Sequence, residues 1–435
     1  MGSVSSATEK NNGVVGFLEH LVPVLMSIYL FLNPFPHTTS IKEICSYLAL
    51  AIVLGLWAAK KKRIRVDTPL MRALFAFLVW GVITIPFAVD KSNTVHDVYS
   101  HLIRYMLFYI ILINYFNTEK RLNWLVWLII ISSLVFICWS LYYYYFMLDN
   151  SFTRRLSTGR MGALAQASIH IIGFVALFAS MLSLKQIFCT RDIRARIFLI
   201  VCIFFAVTAI FLTQSRGIII ALFFSSIMLL FVKKKILLPV VVVLLVLLVW
   251  YTPVKKRFAL QKIMKDPRIT IYQTMSNIVR DYPVTGIGFG MESYSKLDPA
   301  KYVEKLKHPV KKKRRGRKRW AFIGDPHNWA VGLLVRTGVV GLSLYLLVIF
   351  SFFKMAVQVV KARGTARHRE WGGFSIVCFT GFLVFGLFEP IFTHIIEGLM
   401  FSLFAMLTIA WRLDDEKPAV GINDSDKTGS AVMAD

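Results

Sequence analysis

The sequence is poor in acidic residues and in cysteine, and both shortages exclude classes of protein. It has 24 Asp and Glu against 51 Lys and Arg, so the formal net charge is +27. Its 5 cysteines are scattered without a Cys-x-x-Cys pair, so we expect neither a disulfide framework nor a zinc site. Walker, Gly-x-Ser-x-Gly and kinase motifs are also missing, which argues against ATP-driven transport and the common hydrolase and kinase chemistries.

Apolar residues, in contrast, dominate the chain. They make up 56% of it, with a mean hydropathy of +0.61, whereas soluble domains are about 45–50% apolar. A membrane helix needs about 20 apolar residues and satisfies its backbone internally. The runs here are continuous and do not alternate with polar residues, which favours helices over a transmembrane barrel. No small-residue cleavage site follows the first run, so we expect a membrane span there and no signal peptide.

The apolar runs predict an all-α polytopic membrane protein of about 12 transmembrane helices. Residues 1–251 would hold the first nine helices, 252–326 a basic and partly helical loop region, and 327–412 the last three. The polar tail, 413–435, is predicted to be disordered. The predicted spans are 15–32, 41–59, 70–88, 102–116, 125–146, 167–183, 197–212, 218–232, 236–251, 329–353, 374–388 and 399–411.

The distribution of basic residues predicts the orientation. Lysine or arginine follows every even-numbered span, as at 60–63 and 233–235. Cytoplasmic loops show this excess, so both termini are predicted to be cytoplasmic. Two outward segments break the pattern: 151–162 has three arginines, and 252–326 has 19 Lys and Arg against 6 Asp and Glu. In a membrane protein such charge indicates anionic lipid, and we do not expect nucleic acid or a nucleotide as a partner.

The long basic loop has internal structure of its own. Residues 267–281 have apolar positions at helical spacing and predict an amphipathic helix. Residues 283–290 contain glycine at every second position from Gly286 to Gly290, without the context of a nucleotide site, and predict a turn that passes close to another part of the chain. The cationic tract 311–319 is predicted to be mobile.

His327 is the first candidate for chemistry. It follows Pro326, a residue favoured in the first turn of a helix, so we expect His327 at the outer entrance of the tenth span. A neutral imidazole there can accept a proton near neutral pH. An interfacial histidine that only caps a helix is the alternative interpretation.

Arg216 lies in a tight connection between two apolar runs, within Thr213-Gln214-Ser215-Arg216-Gly217. A charge so close to the hydrocarbon costs about 2–3 kcal/mol, and an ionisable group there is a candidate functional residue. A snorkelling interfacial arginine is the alternative.

Other arginines could hold phosphate oxygens with their planar guanidinium groups. Arg268 begins the predicted loop helix and Arg280 lies near its end, where a solvated helix face is the simpler interpretation of Arg280. Arg154, Arg155 and Arg160 crowd a short outward loop near His170, and could form a phosphate-binding rim or contact lipid headgroups. Glu389, His394 and Glu397 form another outward cluster, where a carboxylate could orient His327 or cap a helix.

These pieces occur in a specific order. Thr213-Gln214-Ser215-Arg216-Gly217 comes first, then Asp266-Pro267-Arg268, then the glycine turn, and finally Asp325-Pro326-His327-Asn328 followed by Arg336-Thr337-Gly338. In order, spacing and number of spans, nearly the whole chain resembles the O-antigen ligase family of bacterial envelope glycosyltransferases. The 311–319 tract is an addition to that pattern.

The resemblance implies a GT-C-like membrane glycosyltransferase of the bacterial inner membrane that uses neither metal nor cofactor. The donor would be a glycan on undecaprenyl diphosphate, and the acceptor the outer-core sugar of lipid A-core, with the active site facing the periplasm. Departing diphosphate needs positive charge, for which we select Arg216 and Arg268. His327 would be the base, in a single displacement that inverts the anomeric centre.

Three alternatives remain open from the sequence. The same superfamily contains O-antigen polymerases and protein O-oligosaccharyltransferases, which use the same lipid-linked donor. A transporter of an anionic lipid is the third alternative, although the charges cluster at one membrane face and the sequence shows no inverted repeat.

Overall fold

The computed structural model describes residues 2–157, 168–233, 268–298, 301–302, 311–314, 317–320, 325–362 and 366–415. Within these ranges the regular secondary structure is helical, apart from one short two-stranded ribbon. The helices are α1 (Gly2–Leu32), α2 (Thr39–Ala58), α3 (Pro69–Ile83), α4 (Lys91–Asp97), α5 (Arg104–Tyr115), α6 (Glu119–Tyr142), α7 (Ile169–Cys189), α8 (Ile193–Thr213), α9 (Arg216–Lys233), α10 (Arg268–Asp281), α11 (Trp329–Lys361), α12 (Ala366–Gly386) and α13 (His394–Asp415).

The described helices confirm a polytopic membrane protein but not the predicted number of spans. Eight of them are long and apolar enough to cross a membrane, and Arg216–Leu229 is a shorter apolar helix. Every predicted span falls on a helix except the ninth, 236–251, which lies outside the described residues. Helix α13 continues to Asp415, three residues into the segment predicted as a tail, and residues 416–435 also lie outside the described part.

The predicted fourth span is shorter than expected and is entered through a π-helix. Helix α5 has only 12 residues. It continues directly from α4 through the π-helix Val98–Ile103, which contains the buried His101. Single π turns inside helices are rare and frequently lie at functional sites.

The two most buried spans form the centre of the bundle. In apolar 18-residue stretches of α7 and α13, 78% and 89% of the residues are buried. Helix α7 packs closely on α9, since a Cβ at Gly173 would overlap the Ile218 side chain. Helix α13 packs on α5, where the Tyr109 and Thr408 hydroxyls are 2.7 Å apart. Helices α7 and α13 are therefore packed tightly against α9 and α5.

The predicted glycine turn is confirmed, and the feature it approaches is a kink in α11. Gly338 interrupts α11 with a φ of 68° and a ψ of −173°. The freed backbone groups pair with the turn: Ile287 N–H donates to Val335 O at 3.0 Å, and Val339 N–H donates to Pro283 O at 2.9 Å. Gly286 has a φ of 66°, and a Cβ there would overlap the backbone of Arg336.

The predicted amphipathic helix is also confirmed, as α10. Its buried side chains Ile271, Met275 and Ile278 form an apolar cluster with Val335 of α11. The glycine turn and α10 thus attach the described part of the long loop to the first turns of α11.

The cationic tract 311–319 contains regular structure that its sequence does not predict. Lys311–Arg314 (β1) and Arg317–Trp320 (β2) pair as an antiparallel ribbon, with Lys313 opposite Lys318, and the mobility of the tract stays a prediction. Like charges opposed across strands are unfavourable. The ribbon therefore depends on backbone pairing, which charge patterning alone does not predict.

Candidate active site

The site lies where loops meet at one end of the bundle. Helices α7, α9 and α11 begin there, and α12 ends there. Gly217 packs on Phe388, since a Cβ at Gly217 would be 2.6 Å from Phe388 Cβ. The Trp329 indole N–H donates to Leu383 O at 3.2 Å. These contacts bring the 213–217 connection, the start of α11 and the 387–393 loop together.

Glu389 is the centre of the site. Its side chain is only 6% exposed, and its Oε2 lies 2.7 Å from His170 Nδ1 and 3.9 Å from His327 Nδ1. Ser215 Oγ donates to Oε1 of the same carboxylate at 3.4 Å. The structure therefore brings His327 near Glu389, a carboxylate that the sequence suggested could orient it, and adds His170 and Ser215.

His327 lies at the entrance of α11, as predicted, but Pro326 is not part of the first helical turn. Helix α11 begins two residues later, at Trp329, because the Asn328 side chain caps it by accepting from the N–H groups of Ala330 and Val331. Pro326 is therefore outside the helix. His327 takes a left-handed φ of 52°, and its N–H donates to Asp325 Oδ1 at 2.7 Å.

In this conformation the Nδ1 edge of the His327 ring lies near Glu389. The ring nitrogen Nδ1 is buried, and the described residues give it no hydrogen-bond partner. The side chain as a whole is 39% exposed, so the imidazole reaches both the carboxylate and the open end of the bundle. Catalytic hydrogen bonds are often long before substrate binds, so the 3.9 Å separation is compatible with a functional pair.

The predicted tight connection at Arg216 is confirmed. Gln214 turns the chain with a left-handed φ of 48°, and α9 starts at Arg216. Arg216 is half-buried and adjacent to Ser215, the residue that contacts Glu389. Its backbone therefore lies in the same connection that contacts the carboxylate.

The three arginines of the outward loop 151–162 differ in what the structure shows of them. Arg155 Nε donates to Thr213 O at 2.7 Å, which fixes its loop on the Arg216 connection. Arg154 is exposed and donates to Asn150 Oδ1 at 2.9 Å, whereas Arg160 lies outside the described residues.

The two loop arginines lie at opposite ends of α10. Arg280 is exposed in the last turn, which agrees with the simpler interpretation of a solvated face. Arg268 is the first residue of α10, and its side chain is outside the described part, so its place in a phosphate clamp stays a prediction.

A second buried histidine–carboxylate pair was missed in the sequence. His101 Nδ1 and Glu397 Oε2 are hydrogen-bonded at 2.7 Å, and the His394 ring stacks on that of His101 with centroids 4.7 Å apart. The Tyr105 hydroxyl donates to His394 O at 2.6 Å. The sequence did contain a signal, since His101 and Arg104 interrupt one face of an apolar helical run.

In the described part of the chain, His101, His394 and Glu397 are the group whose ligand atoms are close enough for one metal ion, within 4.8 Å. Their present geometry does not suit a metal. The two imidazole planes differ by only 3°, so their in-plane lone pairs run parallel and cannot converge on one ion without ring rotation.

Arg336 is a structural residue that the sequence placed only within a motif. It is 4% exposed, and its guanidinium carbon lies 4.4 Å from the Phe392 ring centroid and 5.2 Å from that of Phe289. Its Nη1 donates to Phe289 O at 3.4 Å. Nearby, burial raises the pKa of Tyr294, so this phenol is neutral. Arg336 thus ties the glycine turn to the loop that presents Glu389.

Together these features define a polytopic helical membrane protein with a histidine–carboxylate site, bordered by arginine, at one end of its bundle. Residues 199–346 match the family model described as O-antigen ligase, which confirms the resemblance over this segment. The matched segment contains Arg216, Arg268 and His327, whereas His170 and Glu389 lie outside it. A comparison with curated proteins gave no match.

Proposed function

We propose that the protein is an O-antigen ligase, which transfers a polysaccharide from undecaprenyl diphosphate to the outer-core sugar of lipid A-core. The observation that carries the proposal is the position of His327 beside the buried Glu389 carboxylate, at the same loop cluster as Arg216. The O-antigen ligase match across this region supports it. The active site would face the periplasm from the inner membrane, in a GT-C-like fold.

His327 would be the general base. An acceptor hydroxyl is a weak nucleophile, and it attacks the anomeric carbon more readily when its proton is removed in the same step. A carboxylate that accepts the N–H of one ring nitrogen leaves the other nitrogen free to take that proton. Glu389 lies on the Nδ1 side of His327, which suits this arrangement.

Arg216 and Arg268 would stabilise the departing diphosphate. Negative charge develops on the leaving oxygen, and fixed guanidinium groups stabilise it without a metal ion. Displacement in one step, with base and leaving group on opposite sides of the sugar, inverts the anomeric centre. Arg154, Arg155 and Arg160 would bind more distant anionic groups of the two lipid substrates.

A His327→Ala variant tests the proposal in a strain that lacks the wild-type gene. We expect no polysaccharide on lipid A-core, while polymer accumulates on its lipid carrier. His20→Ala replaces an exposed histidine of α1 and is the matched control. Normal capping of lipid A-core by properly inserted His327→Ala protein would reject the assignment.

The deletion strain separates the ligase from its relatives. Full-length polymer on the lipid carrier indicates a ligase, whereas single repeats still attached to lipid A-core indicate a polymerase. Loss of glycans from proteins alone would indicate a protein O-oligosaccharyltransferase. If purified protein moved a lipid-linked substrate across liposomes unchanged, a transporter would be favoured.

A further inference from the structure

A polar cavity opens at the end of the bundle opposite the candidate active site. Its volume is about 1010 Å³, and its walls come from the starts of α6, α8 and α12 and the end of α7. Pockets for small ligands usually measure about 300–1,000 Å³. The cavity is therefore large enough for a lipid headgroup or a small soluble anion.

The cavity is separate from the histidine site. His170 lies in the first turn of α7, and Cys189 is the last residue of this 21-residue helix. At about 1.5 Å per residue, the two ends of this helix are roughly 30 Å apart, the thickness of a bilayer core. A ligand in the cavity could not reach His327.

A buried lysine forms part of the cavity wall. Lys185 is only 2% exposed, and its ammonium nitrogen lies 3.4 Å from the centroid of the Trp371 ring. The neighbouring Gln186 is fixed by donating to Asn123 Oδ1 at 2.7 Å. A cation held against an aromatic face keeps its charge in place at low entropic cost when an anion arrives.

The remaining lining makes the cavity electropositive. Lys120, Arg191 and Arg196 join Lys185, against the carboxylates of Glu119 and Glu370. The Cys189 thiol donates to Glu370 Oε2 at 3.1 Å, which places this carboxylate on one side of the cavity. The cationic groups exceed the anionic ones, so the field favours a negatively charged ligand.

We propose that this cavity binds a phosphate group, presented either by an anionic phospholipid of the adjacent leaflet or by a free phosphate. Basic pockets between membrane helices commonly bind phospholipid headgroups. Arginine suits phosphate because its fork donates two parallel hydrogen bonds. The site is independent of the proposed transferase chemistry, and its test uses no activity measurement.

The test measures thermal unfolding of the purified full-length protein in neutral detergent. Short-chain phosphatidylglycerol, short-chain phosphatidylcholine and inorganic phosphate are titrated at matched ionic strength. A ligand that binds only the folded state raises the unfolding midpoint with concentration. We expect phosphatidylglycerol to raise it by several degrees and phosphatidylcholine to have little effect. A full shift with inorganic phosphate would identify a free phosphate as a sufficient ligand.

Charge-removal variants locate the binding. Lys120→Gln with Arg191→Gln removes two exposed cations of the cavity, and we expect less than half of the wild-type shift. The control pair, Arg194→Gln with Lys361→Gln, removes the same charge at the same end but outside this cavity. Lys185→Met removes the buried charge, and if it fails to fold the exposed pair still decides.

Three results would overturn the proposal. One is the absence of any shift in wild-type protein with either phosphate source. Another is an equal shift with phosphatidylcholine, which would indicate a general lipid effect. The third is an equal response of the cavity pair and the control pair, which would indicate that net charge rather than the cavity binds the anion.

Discussion

At the scale of single residues, Glu389 is the side chain that contacts several candidate residues at once. Its two oxygens approach Ser215, His170 and His327, and the group is buried. A buried carboxylate is costly unless it is paired, so its approach to two imidazoles here indicates a specific task. We expect that task to be the orientation of His327 rather than contact with the reacting atoms.

Replacing Glu389 with Gln tests this role. The amide keeps the shape but loses the charge, so His327 should be held less well in the productive ring orientation. We expect turnover to fall about 10–100-fold, part of the roughly 10²–10⁴ that general base catalysis contributes. Transfer is measured with purified protein and lipid-linked donor, where kcat should fall more than the KM for either substrate changes.

Glu292→Gln is the matched control, since Glu292 is an exposed carboxylate in the loop after the glycine turn. We expect its turnover to remain near that of the wild type. Unchanged turnover in the Glu389→Gln protein would remove Glu389 from the mechanism and leave it a purely structural residue.

Arg216 provides a test of the phosphate clamp that does not depend on the base. Lysine at this position keeps the charge but loses the two-pronged donor geometry that matches phosphate oxygens. We expect Arg216→Lys to lower kcat/KM for the donor by about 10²–10³, the usual cost of one lost oxyanion donor. Arg154→Lys, on the exposed rim, should change it far less. Equal effects of the two changes would argue against a clamp at Arg216.

At the level of whole elements, the glycine turn and the kink of α11 depend on each other. The turn supplies backbone donors and acceptors that the kink leaves unpaired, and Gly286 allows the two backbones to meet. Alanine at Gly286 would require a left-handed φ and would overlap the Arg336 backbone, which cannot rotate away as a side chain can.

Gly286→Ala should therefore destabilise the protein by about 1–3 kcal/mol, through overpacking and backbone strain. The measurement is the midpoint of thermal or denaturant unfolding in detergent. Gly55→Ala is the matched control: Gly55 lies in α2, with open space where a Cβ would extend, and alanine there should be neutral or stabilising by about 0.5–1 kcal/mol. Equal stability of both variants would contradict the coupling between turn and kink.

These elements also show what the sequence could predict. The apolar runs located the helices, and the spacing of Tyr272, Met275 and Ile278 located α10, because burial of one face requires such a pattern. The structure buries Ile271 together with Met275 and Ile278. The start of α11 at Trp329 coincides with the start of the predicted tenth span, but the sequence did not show that the Asn328 side chain, and not Pro326, would begin the helix. The 311–320 ribbon was missed because like-charged sequences give no apolar alternation from which a strand can be predicted.

The candidate site was only partly predictable for a similar reason. His327, Glu389 and His170 could each be selected as ionisable residues at the ends of apolar runs. Their meeting at one carboxylate depends on the order in which α7, α9, α11 and α12 pack, which periodicity does not encode. His101 and Arg336 were overlooked as partners because they lie inside helical segments and their contacts come from distant parts of the chain.

Across the whole molecule, charge is concentrated at the two ends of an apolar bundle, with basic residues in excess over acidic ones by 51 to 24. Under the proposed function, Arg216 and Arg268 would provide positive potential where the diphosphate leaves. Chemistry of this kind obtains its electrostatic stabilisation from side chains fixed in the fold, so it should not depend on a dissociable cation.

The purified protein is therefore predicted to need no added cation. Chelators should leave turnover unchanged, and added magnesium or zinc should not increase it, because guanidinium groups do not exchange with the solvent. Rising ionic strength should instead weaken donor binding, since exposed arginine–phosphate contacts are screened over about 8–10 Å at physiological salt. Turnover that vanished with a chelator and returned with magnesium would show that a bound cation, and not Arg216 with Arg268, stabilises the leaving diphosphate. The stacked His101–His394 pair with Glu397 would then be the first group to examine as a metal site, through the loss of metal content on His394→Ala.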